Sequence, residues 1–147
     1  MPTIEEFKKT FFDRDRVLNS MDKALQKNMS KFGAYVRTRS KSSIRRKKKA
    51  SKPGSPPRNV TGKLKDFIFF GYDKVKKEVI IGPAGFQDKP LMAPELLEKG
   101  GTVVRPRSKN SKKKGMVVYN YGGNPYMQPA FDVERPKFIG MMKDSMK

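Results

Sequence analysis

The sequence predicts an α+β domain: a mostly antiparallel sheet of about four strands, flanked by a long N-terminal helix, a short middle helix and a C-terminal helix, with long basic loops between them. Three observations carry this. Apolar residues recur every seven positions from Phe11 to Phe32, the repeat of one helix face. Two pairs of short β-branched or aromatic runs each flank a polar connection, the pattern of antiparallel hairpins. Proline and glycine clusters separate these blocks. At 147 residues the chain is long enough for a single domain with one modest core.

Residues 1–12 open with a possible capping box, Thr3 and Glu6, and with Phe7, Phe11 and Phe12 as apolar anchors. A helix is then expected from Asp13 to about Arg39. Asp13 is its N-cap, and Leu18, Leu25 and Phe32, with Met21, Met29 and Val36 beside them, form a broad apolar face. Arg16, Asp22, Lys23, Lys27 and Lys31 form the opposite one. The breadth of the stripe favours a core-covering helix over the narrow seam of a coiled coil.

From Arg37 to Arg58 there are ten basic residues and no acidic one, and Ile44 is the one sizeable apolar residue. Such a segment builds no core of its own. Its first part can prolong the helix. From Lys52 onward, Pro53, Gly54, Pro56 and Pro57 forbid helix. Residues 40–60 therefore count as a long basic Pro/Ser-rich loop, mobile in the isolated chain from about residue 47.

Strands are expected at 64–70 and 78–82, joined by a turn over 73–77 and ended by Gly82-Pro83. Ala93 to Lys99 reads as a short helix with Pro94 in its first turn and Gly100-Gly101 at its end. Strands at 102–104 and 116–119 follow, with residues 105–115 as a basic hairpin tip. A last helix begins near Pro129, with Phe131, Phe138, Met141 and Met142 facing inward. Pro136 is expected to break or bend it.

Composition limits the chemistry. Histidine and cysteine are absent, so zinc sites and most nucleophile–base pairs lose their usual members. No metal or cofactor is expected. The paired carboxylates Glu95 with Glu98, and Asp132 with Glu134, suit helix termini better than catalysis, and the chain is expected to be no enzyme. No run approaches the ~20 apolar residues of a membrane span, and the first residues lack a signal-peptide pattern. These features predict a protein made and used in the cytoplasm, without a membrane or small-molecule partner.

The net charge of +20 demands a compensating partner, either nucleic acid or an acidic protein face. Arg45, Arg46, Lys47, Lys48 and Lys49, with Lys112, Lys113 and Lys114, suit contact with phosphates or an acidic surface. Nothing specifies a base sequence. Phe67, Phe69, Phe70 and Tyr72 could stack on bases, but their strand spacing favours core packing. The nine methionines suit adaptable interfaces.

Four ordered pieces carry a family resemblance. They are the N-terminal amphipathic helix running into a basic Ser-rich stretch at Arg37–Arg46, the segment Pro53-Gly54-Ser55-Pro56-Pro57-Arg58-Asn59-Val60-Thr61-Gly62-Lys63-Leu64 with the strand after it, Glu95-Leu96-Leu97-Glu98-Lys99-Gly100-Gly101-Thr102, and Asn124-Pro125-Tyr126-Met127-Gln128-Pro129-Ala130-Phe131. In their order and spacing the chain resembles the tail-completion and head–tail joining proteins of long-tailed bacteriophages, the lambdoid tail-component family. The departures are Asn124 where that family often has Arg and Lys99 where it often has an aromatic residue. The resemblance implies a structural component of the virion neck or upper tail, assembled in the host cytoplasm. It implies a closed ring of identical subunits, six-fold or twelve-fold, that joins the head connector to the tail, beside neighbouring neck or tail proteins. It places the ring and partner contacts at Pro56, Pro57, Arg58, Thr61 and Gly62, and at Asn124, Pro125, Tyr126, Met127, Pro129 and Phe131. The alternative is an accessory protein that binds phage DNA without sequence preference. A salt titration separates the two.

Overall fold

The structure is a computed structural model that describes residues 3–5, 13–46, 49–59, 62–84, 93–110 and 113–145. It is an α+β arrangement in the order α1 (Arg14–Ser43), α2 (Lys63–Asp66), β1 (Ile68–Asp73), β2 (Glu78–Pro83), α3 (Ala93–Lys99), β3 (Gly101–Pro106), β4 (Met116–Tyr121) and α4 (Gln128–Ser145).

Helix α1 starts where Asp13 caps it, its Oδ1 accepting the Arg16 N–H at 3.0 Å. It runs four residues past the expected end, and there Ser40, Ser42 and Ser43 donate their hydroxyls to carbonyls three or four residues back. The seven-residue stripe is covered over only part of its length. Phe32 and Val36 are buried, whereas Val17, Leu18 and Met21 are exposed. The cover comes from α4 and the first hairpin, and α4 ends with Ser145 at the level of Asn28, whose side-chain amide donates to Ser145 Oγ at 2.6 Å and to the Met141 carbonyl at 3.2 Å.

The four strands are antiparallel, as expected, but form two separate two-stranded ribbons, β1–β2 and β3–β4. The residues expected to open β1 instead make the helical turn α2, and the strand begins at Ile68. Gly62 permits this. Its φ of +85° sets the left-handed residue at the start of the turn, and its N–H donates to Asn59 Oδ1 at 2.7 Å. The β1–β2 ribbon turns over 74–77, as expected, with Lys77 at φ +54°.

The alternation of β1–β2 puts Ile68, Phe70 and Tyr72, opposite Pro83, Ile81 and Val79, on the face toward α1. Gly33 lets them approach. A Cβ there would lie 2.8 Å from side-chain atoms of both Phe70 and Val79, well inside van der Waals contact. Two buried clusters result. One is Phe32, Val36 and Ala130, with Val79, Ile81, Phe138 and Met141 around it. The other is Ile44, Ile68 and Tyr126, with Leu64 and Leu97. Met127 packs against both.

Helix α4 departs from expectation in two ways. It continues through Pro136 as one element. Asp132 and Pro136 are both exposed, so the carbonyl that loses its helical donor can turn to water. Its deepest residues are Ala130 and Glu134, while Phe131, expected inward, is partly exposed and meets Phe32 edge-on at 5.6 Å between ring centroids.

Candidate interaction surfaces

The carboxylates that could have served catalysis are engaged in holding the fold. Glu98 reaches from α3 to the start of α4, where it accepts the backbone N–H groups of Tyr126 at 2.9 Å, Met127 at 3.1 Å and Gln128 at 2.8 Å. A helix start leaves such donors open, and an anion is favoured there. Its neighbour Glu95 pairs with Lys99 at 3.0 Å, and Asp132 accepts from the Gln128 side-chain amide at 2.9 Å. Glu134 is buried between Arg39, which donates to its Oε1, and the Lys137 ammonium, 2.8 Å from Oε2. The Lys137 contact first, then the Arg39 guanidinium, hold its carboxyl below the ordinary range against the opposing effect of burial. Among the described residues no three acidic side chains converge as metal ligands, and no helix is long and apolar enough to cross a membrane.

The residues singled out for partner contact separate into two groups. Tyr126 is 1% exposed and Pro57 is buried, so neither offers a surface in the subunit. Tyr126 belongs to the Ile44–Ile68 cluster, and its burial, with the Glu98 charge nearby, pushes its phenol up to about 12. This corrects their assignment as surface contacts. Asn124 is a tie within the chain, its amide donating to the carbonyls of Lys52 at 2.6 Å and Ser55 at 2.7 Å. Pro56, Pro125 and Met127 are half-buried, and Arg58, Pro129 and Phe131 are exposed. Met127 and Phe131 line an open apolar groove of about 260 Å³ with Val36, Val79 and Ile81. Thr61, Lys47, Lys48 and Lys112 lie outside the described residues, as do Phe7, Phe11 and Phe12.

The described part of the basic loop is tied to the body at its turn. The turn at Lys52–Ser55 is tied to the segment that follows β4: besides the Asn124 bonds, the Gly54 N–H donates to the Gly123 carbonyl at 2.6 Å. Residues 122 and 123 must be small for this. A Cβ on Gly122 would sit 2.7 Å from Pro53 Cγ, and one on Gly123 would sit 3.1 Å from the Lys99 carbonyl. Farther back, Arg45 and Arg58 form an isolated parallel bridge. Arg45, Arg46 and Lys49 are exposed beyond it, as are Lys113 and Lys114 on the second loop. At the end of α1, burial and the Arg37 guanidinium lower the pKa of the Lys41 ammonium, with Asp66 opposing.

The β3–β4 ribbon makes a surface that sequence reasoning treated only as a hairpin. Its register pairs Thr102 with Asn120, Val104 with Val118 and Pro106 with Met116. That face lies open to water: Val104, Val118 and Met116 are 54%, 58% and 64% exposed. The opposite face is anchored at its root by buried Val103. A second apolar groove, of about 520 Å³, lies beside the uncovered part of α1, lined by Val17, Met21, Ala24, Leu25 and Met142.

The aromatic residues of β1 divide by strand face. Phe70 meets Gly33 yet stays partly exposed, and Phe69 points outward with the Lys41 ammonium 5.9 Å from its ring centroid, so neither is buried in the core as the strand spacing suggested.

No protein-family profile, curated protein or solved structure matches the chain.

Proposed function

We propose that this chain is a structural assembly component of a tailed-phage particle, a neck or tail-completion protein whose copies close into a ring between the head connector and the tail. The β3–β4 ribbon carries this reading. A two-stranded ribbon is marginal in water by itself, and this one leaves Val104, Val118 and Met116 exposed on one face and pairs with no third strand among the described residues. Open edges and exposed apolar faces of this kind are completed by another chain. Repetition of one such contact around an axis closes a ring.

The resemblance lends support through the way its pieces meet. Glu98, from the third piece, caps the fourth, and the turn of the second piece is tied to Asn124. Segments far apart in sequence thus join in one knot, from which the ribbon projects. The ring would contact adjacent neck or tail proteins in the virion through this ribbon and through the groove at Met127 and Phe131. No catalytic step enters this role.

The test is a Val104→Glu, Val118→Glu double variant, compared with the parent by light scattering and by electron microscopy of protein mixed with tails. The parent is expected to form a ring seated on tails, and the variant to stay monomeric with unchanged circular dichroism. A parent that remains monomeric and binds no tail overturns the proposal.

A further inference from the structure

We infer that the two acid-free basic segments form one two-armed surface for the phosphate backbone of duplex DNA, a partner beyond those of the ring reading. All of the chain's excess charge sits in two stretches. Residues 23–65 hold fifteen Lys and Arg and residues 99–131 hold seven, and neither contains an acidic residue. The rest of the chain has twelve basic and fourteen acidic residues. The charge is therefore segregated, not spread.

The structure brings the two stretches to one root. Gly54 is bonded to Gly123, Asn124 holds both Lys52 and Ser55, and Pro53 lies on Gly122. Arg45, Arg46 and Lys49 precede this root in the chain, and Lys109, Lys113 and Lys114 lie at the tip of the ribbon that begins there. All six are exposed.

The composition of the arms selects the polyanion. Residues 45–58 and 105–115 contain no aromatic side chain and no apolar one larger than proline. Protein interfaces are poor in lysine and enriched in aromatic, Met and Arg side chains. The arms hold Arg45, Arg46, Arg58, Arg105 and Arg107 but no aromatic residue or Met, and Lys outnumbers Arg in them. Single strands are held by stacking on aromatic rings. Arms of Lys, Arg, Ser, Asn, Gly and Pro offer instead what a duplex backbone takes: cations and small hydrogen-bond donors without base readout. The two-armed form adds an effect of geometry, because two sites tied at one root bind the same lattice with a high effective concentration.

Fluorescence anisotropy of a labelled random-sequence duplex, titrated with the full-length chain at several salt concentrations, tests this. Six phosphate contacts give a log–log salt slope of about −5. Replacing Arg45, Arg46 and Lys49 by Gln, or Lys109, Lys113 and Lys114 by Gln, is expected to reduce that slope by about 3 in each case. Lys74→Gln with Lys76→Gln, on the turn of β1–β2, is expected to leave it unchanged. Asn124→Ala keeps every cation but loosens the root, and is expected to weaken binding several-fold with little change of slope. Four results overturn the inference: an equal loss from the Lys74/Lys76 variant, tighter binding to a single strand, displacement by polyglutamate as readily as by duplex, or an Asn124→Ala protein with parental affinity. Ring formation and docking on tails are read separately, so loss of duplex binding with intact docking removes this inference alone.

Discussion

The two hairpins have strands of the same length and antiparallel pairing, yet they occupy opposite environments. The β1–β2 ribbon lies on α1, with Ile68 at 0% exposure, and Phe70 and Val79 brought against the helix by a missing side chain at Gly33. Among the described residues, Val103 is the buried side chain of the β3–β4 ribbon, and the backbones of Gly100 and Gly123 meet closely at its root. Both are rich in β-branched and aromatic residues, so strand propensity does not separate them. What separates them is whether another element of the same subunit covers the alternating face. The first ribbon belongs to the fold. The second is a surface.

The largest expected effect tests this contrast directly. Ile68→Ala empties a fully buried site and is expected to cost roughly 3 kcal/mol in urea unfolding, whereas Val118→Ala is expected to change stability by less than about 0.5 kcal/mol. Equal losses at the two positions would break the comparison. Next is Gly33→Val, which forces a side chain into the α1–ribbon contact. About 2 kcal/mol of destabilisation is expected from overpacking, partly offset by the better helix propensity of a non-glycine residue. Insensitivity to this change would mean that the first ribbon does not press on the helix.

Two smaller effects depend on pH, one at the buried Tyr126 and one at the contact between α1 and α4. Tyr126 keeps its proton to about 12 in the folded state against 10.0 ordinarily. Its contribution to stability is complete below pH 10 and is lost as pH rises toward 12. Tyr126→Phe is expected to flatten this alkaline limb in denaturant titrations across that range. Glu134 works in the other direction. Its carboxyl is held below the ordinary 4.5 by Lys137 and Arg39, so its contribution is present above that value and lost as pH falls through the lower, folded one. Glu134→Gln is expected to remove this acid sensitivity. A parental acid limb in the variant would show that the buried Glu134 carboxylate is not its source.

Much of the architecture was legible because it is written locally. Asp13 marks the start of α1, Gly100-Gly101 the end of α3, and the polar run at 74–77 the turn of the first hairpin. What escaped depends on residues far apart in the chain. Nothing local tells Leu64 to join a helical turn, or says that β2 and β3 will not pair. The exposed part of the α1 stripe depends on which other segments reach it. Tyr126, with prolines on either side, reads as a surface residue, and only the Glu98 cap and the Ile44–Ile68 cluster draw it inside. For the candidate surfaces, the charged loops were visible as runs of Lys and Arg, but their common root at Asn124 was not. The spacing of the acidic residues was a signal available in the sequence, since their absence from residues 23–65 and 99–131 outlines the basic surface without any coordinates.

The carboxylate of Glu98 also bears on the order in which the chain matures. The last helix takes its terminal anion from a residue about thirty positions upstream, beyond the whole of the second hairpin. A nascent chain therefore closes a loop spanning β3 and β4 before that terminus is satisfied, and loop closure of this length is slow relative to helix growth. Docking of the C-terminal helix thus depends on a contact that spans the second hairpin.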